Sequence, residues 1–298
     1  MRASLTVLTE ELLRLKAHGL KTVVVPGESL ERLREAVAVL AARAPKAAPV
    51  LDERVPAYVP PPKSTIAPKP TVVVRALPDP PTVSLPEGDK ATQWAWLNRE
   101  VTEHPVCREH VRPEKKVVLG VGNLDADIFF CGEAPGAEEE VRGEPFVGPA
   151  GELLTKMIGA MGLKREAVYI GNIMNWRPQL PTEPGMEQIG NRPPTSEELA
   201  FCLPFLQAQL AIVRPKVIVA LGATAAKGLL GENAFKTLGE VRGRWRDFGG
   251  VPVIVTYHPS YILRNGSNRS KRAIWEDLLQ VMERTSLPIS EKQRGYFR

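Results

Sequence analysis

Apolar residues follow two rhythms along this chain. Short unbroken runs at 128–131, 168–170, 217–221 and 253–256 are bounded by glycine, proline or charged residues. Runs of that length, rich in valine and isoleucine, predict strands buried on both faces. Between them apolar positions fall three and four residues apart, the spacing of one helix face. Residues 150–161 place Leu153, Leu154, Met157, Ile158 and Met161 on one side. Thr195, with Glu198 three residues on, forms a capping box ahead of Leu199, Leu203, Leu206 and Leu210. Residues 223–230 and 271–283 predict two more helices. Strands alternating with helices build a parallel sheet covered on both faces, an α/β architecture whose ligands sit at the carboxyl ends of the strands.

The first part of the chain has a different texture. Residues 5–17 and 29–42 carry helical spacing around a β-branched run at 23–25. Residues 44–86 are dense in proline, which extends the backbone and cannot bury a core. The organisation expected is a small N-terminal α/β arm over 1–43, a proline-rich linker over 44–88 and a compact domain over 89–298. The arm reads equally as a module for an unidentified protein partner and as a remnant.

Composition narrows the class. A hydrophobic fraction of 43% over 298 residues suffices for a core. No apolar run is long enough to cross a bilayer, and Glu10, Glu11, Arg14 and Lys16 interrupt the N-terminal segment, against a secretory signal. A cytoplasmic monomer without membrane association is expected. The net charge of +5 suits a polyanionic partner without requiring one. Cys107, Cys131 and Cys202 are odd in number and widely spaced, which argues against a disulfide framework and leaves metal ligation or burial.

Candidate chemistry gathers where the strands end. Gly132-Glu133-Ala134-Pro135-Gly136 follows the first strand, with Glu138, Glu139 and Glu140 beside it, and Phe146 stands in a glycine-flanked loop. Asn172 ends the next strand, offering an acceptor and a donor side by side, the complement of a pyrimidine's O4 and N3–H edge. His258 leads a His-Pro-Ser turn after the last strand. Taken singly, each has an ordinary structural reading as a turn, a packed ring, a loop cap or a hydrogen-bonded histidine. No GxGxxG or GxxxxGK[ST] cradle follows the first strand, which argues against a generic nucleotide-binding protein.

Together GEAPG, PFVGPAGELL, VYIGN and YHPSYILR, in that order, resemble the uracil-DNA glycosylase superfamily, its iron-sulfur-type branch in particular, from about residue 107 to about 283. The resemblance implies a three-layer sandwich, a four-stranded parallel sheet flanked by helices. It also implies a base excision repair enzyme that hydrolyses the N-glycosidic bond of uracil in DNA and leaves an abasic site. By the same resemblance Glu133, Ala134, Pro135 and Gly136 border uracil and sugar, Phe146 stacks on the flipped base, Asn172 reads its edge and His258 donates to O2. Other branches place a water-activating aspartate where this chain has Ala134, which leaves Glu133 and Glu139 as candidates to position water. Tyr261, Ile262 and Leu263 fall where the family presents an apolar wedge to DNA, and read equally as the first turn of a packed helix; Ser260 is expected beside DNA, and Arg264 and Arg269 are expected to meet phosphates. The alternative is a catalytically degenerate relative that binds uracil-containing or abasic DNA without cleavage.

Members of that branch hold a 4Fe-4S cluster on four cysteines. Cys202 matches the last ligand position and Cys107 lies in the region of the first pair, but Trp176 stands where the third thiolate is required. Tryptophan cannot ligate iron, and adding His110 still leaves an incomplete set. The expectation is a chain with no cofactor, in which Trp176 fills the vacated space. A second departure is the proline- and glycine-rich loop 179–194, longer than the family pattern, which either touches DNA or decorates the surface.

Overall fold

The computed structural model describes residues 77–182 and 185–298, so the N-terminal arm and most of the proline-rich stretch lie outside the described residues. Six strands form one sheet: β1 (Val121–Gly122), β2 (Ile128–Gly132), β3 (Tyr169–Asn172), β4 (Val217–Leu221), β5 (Trp245–Phe248) and β6 (Val251–Thr256). Their order is β1-β3-β2-β4-β6-β5. The four predicted strands are all present and pair in parallel at the centre, Phe130 lying opposite both Ile170 and Val219, and Val219 opposite Ile254.

The expected four-stranded sheet is thus the centre of a mixed six-stranded one, because β1 and β5 add antiparallel edges. Neither edge strand produces an apolar run: β1 has two residues, and β5 exposes Arg246 and Asp247. The β5–β6 hairpin turns on Gly249 and Gly250, at φ +59° and +87°. A glycine pair at positive φ is what a tight hairpin requires.

Ten α-helices accompany the sheet: α1 (Lys90–Glu103), α2 (Pro105–Glu109), α3 (Ala137–Arg142), α4 (Pro149–Ala160), α5 (Ser196–Val213), α6 (Ala223–Leu230), α7 (Leu238–Val241), α8 (Pro259–Arg264), α9 (Asn268–Arg284) and α10 (Glu291–Arg294) among the described residues. Strand alternation divides the core in two. Phe129, Cys131, Ile218, Ala220, Val253 and Val255 face one side, against residues of α1, α5 and α6. Ile128, Phe130, Val217, Val219, Leu221 and Ile254 face the other, against α4 and α9. The result is the three-layer arrangement expected. Leu77, Val83 and Leu85 pack on the first of these cores. The end of the expected linker is therefore laid on the domain, anchored by three apolar side chains that its prolines outnumber in the sequence.

Candidate active site

The loops after β2, β3 and β6 converge at one end of the sheet. The convergence depends on Gly132, the last residue of β2. A Cβ there would lie 2.6 Å from Phe146 Cζ and would collide with Asn172 Oδ1. With no side chain at 132, ring and amide close over the strand end. Phe146 holds a backbone φ of +54°, a left-handed conformation that costs a residue with a Cβ about 1–3 kcal/mol. Glu139 holds that loop in place. Its Oε1 accepts from Val147 N and Gly148 N, both at 3.2 Å, and its Oε2 accepts from Gly136 N at 3.1 Å. One carboxylate thereby ties the loop after β2 to the loop that carries the phenylalanine.

Asn172 lies opposite Gly132 in the parallel register and is 5% exposed. No side-chain hydrogen bond of Asn172 is found among the described residues, and the exposure it retains opens onto the cavity described below. His258 caps α8, with Gly222 at φ +94° making room beside its Cβ. Ser260 N donates to His258 Nδ1 at 3.2 Å, and the Ser260 hydroxyl lies 2.8 Å from the same atom. A backbone N–H can only donate, so Nδ1 is an acceptor and the ring proton resides on Nε2. Burial, and then the charge of Arg264, push the His258 pKa down to about 4, so the imidazole is neutral at pH 7. Its ring centre lies 5.6 Å from that of Phe146.

Phe146, Asn172 and His258 line one cavity of about 330 Å³ together with Ala134, Gly136, Glu138, Glu139, Ser260 and Arg264. Pro135, Tyr261, Ile262 and Arg269 are not part of its wall. Nor is Glu133: its side chain is hydrogen-bonded by Thr224, and burial pushes its carboxyl pKa up. Ile262, expected to face DNA, is 8% exposed and packs in the core with α4 and α9, which corrects its assignment. Only Leu263 of the expected wedge projects, at 53% exposure. Tyr261 instead stacks on Tyr257 at 4.5 Å, and Arg242 lies 5.4 Å from the Tyr257 ring centre. Beneath them Asp277 accepts from Arg242 at 2.9 Å and from Thr256 Oγ1 at 2.6 Å, while burial raises its pKa to about 6.

Asn191, from loop 179–194, also lines the cavity. Residue-by-residue reading misses it because its placement depends on Arg177, a fully buried side chain. Arg177 Nη1 donates to Glu140 at 2.8 Å, with both side chains only 3% exposed. Its Nε donates to Asn191 Oδ1 at 2.8 Å, and its Nη2 to Gly190 O at 2.9 Å. The short sequence Arg177-Pro178 carries no pattern that separates such a residue from a surface arginine.

The side chains at the cluster positions do not fit a 4Fe-4S group. Cys107 and Cys202 are both free and fully buried, and burial pushes the Cys107 thiol up to about 12 and the Cys202 thiol well above its ordinary range. Trp176 is 0% exposed, with its ring 5.0 Å from His110 and 6.0 Å from Phe201. His110 Nδ1 is spent on Val106 O at 2.8 Å. Among the described residues no group of three His, Cys, Asp or Glu side chains is placed to hold a metal ion. Trp176 Nε1 and His104 Nδ1 are buried without partners, so this aromatic filling is steric and not hydrogen-bonded.

Comparison with known proteins places this geometry. The family model described as the uracil DNA glycosylase superfamily matches residues 119–279. The chain is 44% identical over 183 residues to the type-4 uracil-DNA glycosylase of Thermotoga maritima, covering 61% of this chain and 89% of that protein. The type-4 uracil-DNA glycosylase of Archaeoglobus fulgidus is 42% identical over 173 residues, 55% of this chain and 80% of its own length. The type-5 uracil-DNA glycosylase of Pyrobaculum aerophilum is more distant, 29% identical over 180 residues, 55% of this chain and 73% of that protein. With a matching family model over more than half its length and type-4 relatives covered almost end to end, the chain belongs to the uracil-DNA glycosylase superfamily, in its type-4 branch.

Proposed function

We propose that this chain excises uracil from DNA by hydrolysing the bond between base and deoxyribose, leaving an abasic site for base excision repair. The observation that carries the reading is the amide of Asn172, buried and without a partner among the described residues, facing a cavity shared with Phe146 and His258. An amide that opens onto the cavity without a protein partner is available to a ligand that matches both of its groups. Uracil does so: O4 accepts from Nδ2 while N3–H donates to Oδ1. Cytosine presents the reverse pattern at both positions and does not match the amide in that orientation.

Breaking the glycosidic bond develops negative charge on the departing base and positive charge on the sugar. The Nε2–H of His258, fixed in its tautomer by Ser260, meets the charge that builds on O2, and loss of one such donor costs about 10²–10³ in rate. Phe146 stacks on the base, with its ring held by the strained loop. Glu139 borders the cavity with its carboxylate already oriented by three amides, and supplies negative charge toward the sugar cation and its attacking water. Because Glu133 is turned toward Thr224, Glu139 is the better supported of the two acids for that role.

In duplex DNA the nucleotide must leave the stack, at a cost of a few kcal/mol. Leu263 and Arg264 of α8 are placed to meet DNA as it does so, the one against bases and the other against phosphate. The step is hydrolytic and passes no electrons, so a chain lacking a cluster lacks no reactant, and the two-thiol donor set supports a cofactor-free enzyme. No helix among the described residues is long and apolar enough to cross a membrane, consistent with work on DNA in the cytoplasm.

The test is alkaline cleavage of an oligonucleotide carrying one uracil, after incubation with the parent chain and with Asn172→Ala and His258→Ala. Strand breakage with the parent and a loss of at least about 10²-fold in the variants is expected. Tight binding by the parent without breakage would replace this reading with that of a degenerate binder.

A further inference from the structure

Large apolar side chains left in water are few. Among the described residues they are Val141, Met186, Ile189, Leu263 and Phe297. All but Phe297 lie on α3, loop 179–194 and α8, each of which contributes other residues to the cavity wall. Ile189 is the extreme case, at 92% exposure. The described residues on either side of it are held by hydrogen bonds. Gln188 is 6% exposed, with its side chain bonded to Pro178 O, Gly190 O and Leu180 N at 3.0–3.2 Å. Arg177 holds Gln188 O and Gly190 O on either side of Ile189. Arg192 holds Gln179 O and takes both Glu198 oxygens at 2.7 Å, and Arg112 holds Leu180 O and Thr182. Three arginines pin the loop from beneath while its isoleucine projects, two residues and so at most about 7 Å of chain from Asn191 on the cavity wall.

An isoleucine displayed at 92% exposure on a hydrogen-bonded loop segment is pre-organised for a contact outside the protein. The occupant must also fit Arg264 at the mouth and Arg142, which follows Val141 on α3. Apolar side chains with an arginine beside them suit nucleic acid, where such residues wedge between base steps while cations meet phosphates. We infer that Ile189 inserts against the base stack of duplex DNA beside the extruded nucleotide, a second apolar wedge that loop 179–194 adds to Leu263. The inference deepens the excision reading and rests on it. β-Branching leaves Ile189 few rotamers, so little freedom is lost on insertion.

The test compares the parent with Ile189→Ser and Ile189→Phe on the same uracil-containing sequence, single-stranded and as a U·A duplex. Ile189→Ser is expected to match the parent on single strands and to lose about ten-fold in kcat/KM on the duplex, the factor equivalent to about 1.4 kcal/mol. Ile189→Phe, which keeps an apolar wedge, restores duplex activity, and melting temperatures stay level because residue 189 touches no core. A 2-aminopurine beside the uracil brightens on binding the parent and less so with Ile189→Ser. Equal losses on both substrates, or none on the duplex, overturn the inference while excision stands. A parent that cleaves neither substrate overturns the excision reading and the inference with it.

Discussion

Acidification probes the imidazole on which the proposed chemistry rests. His258 keeps Nδ1 as an acceptor for Ser260 N–H, and its pKa is pushed down to about 4 by burial and Arg264. At pH 5.5 only about 3% of such a group is protonated, whereas a histidine at the ordinary value of 6.5 would be about 90% protonated. Protonation puts an N–H on Nδ1 opposite the Ser260 N–H, donor against donor, and the ring loses the contact that aims Nε2 into the cavity. kcat/KM should therefore be flat from pH 8 to about 5.5 and fall on an acid limb near 4, while an unshifted histidine would already have lost about ten-fold at pH 5.5. The assay uses a single-stranded thymine-context oligonucleotide with one uracil, whose bases do not titrate in this range. Glu133→Gln serves as the control, because Glu133 also titrates above its usual range. An acid limb near 6.5 in both parent and control would refute the tautomer argument. The same shift carries a stability signature. Native His258 binds fewer protons than in the unfolded chain between about pH 4 and 6.5, so its contribution, at most about 3 kcal/mol, rises with pH and is lost as pH falls. Asp277, raised to about 6, opposes it over about pH 4–6, so the His258 signature is the difference between the parent and His258→Ala.

Other substitutions test the frame of the site. Gly132→Ala should lower kcat/KM by about 10²-fold with a modest drop in melting temperature, since its Cβ displaces the Phe146 ring and Asn172 while the sheet remains intact. Unchanged excision would show that the close approach is dispensable. Arg177→Met leaves Glu140 buried and unpaired, and urea denaturation should register a loss of about 3–5 kcal/mol, most of it recovered by adding Glu140→Leu. Trp176→Ala removes a fully buried ring and should cost about 3–5 kcal/mol. Elemental analysis of the parent purified from iron-replete cells should find no stoichiometric iron, with full activity in the presence of chelator. A full complement of four irons would refute a cofactor-free enzyme.

Some of this protein is written locally. The four central strands announce themselves because strands buried on both faces must be continuously apolar, and Thr195 with Glu198 marks a helix start because capping is a contact between near neighbours. Phe146, Asn172 and His258 are legible through motifs at strand ends, where any parallel sheet of this kind presents its ligand site. Tertiary structure decided the rest. It buried Ile262 and exposed Leu263, turned Glu133 to Thr224 and fixed Glu139 on three amides, because the direction of a side chain depends on what packs behind it. It seated Asn191 through an ion pair between residues 37 positions apart. It added edge strands too short or too polar to show a rhythm, and laid Leu77, Val83 and Leu85 on a core that their own segment does not contain. Local sequence sets what a segment can become, but a contact between distant residues exists only once the chain has closed upon itself.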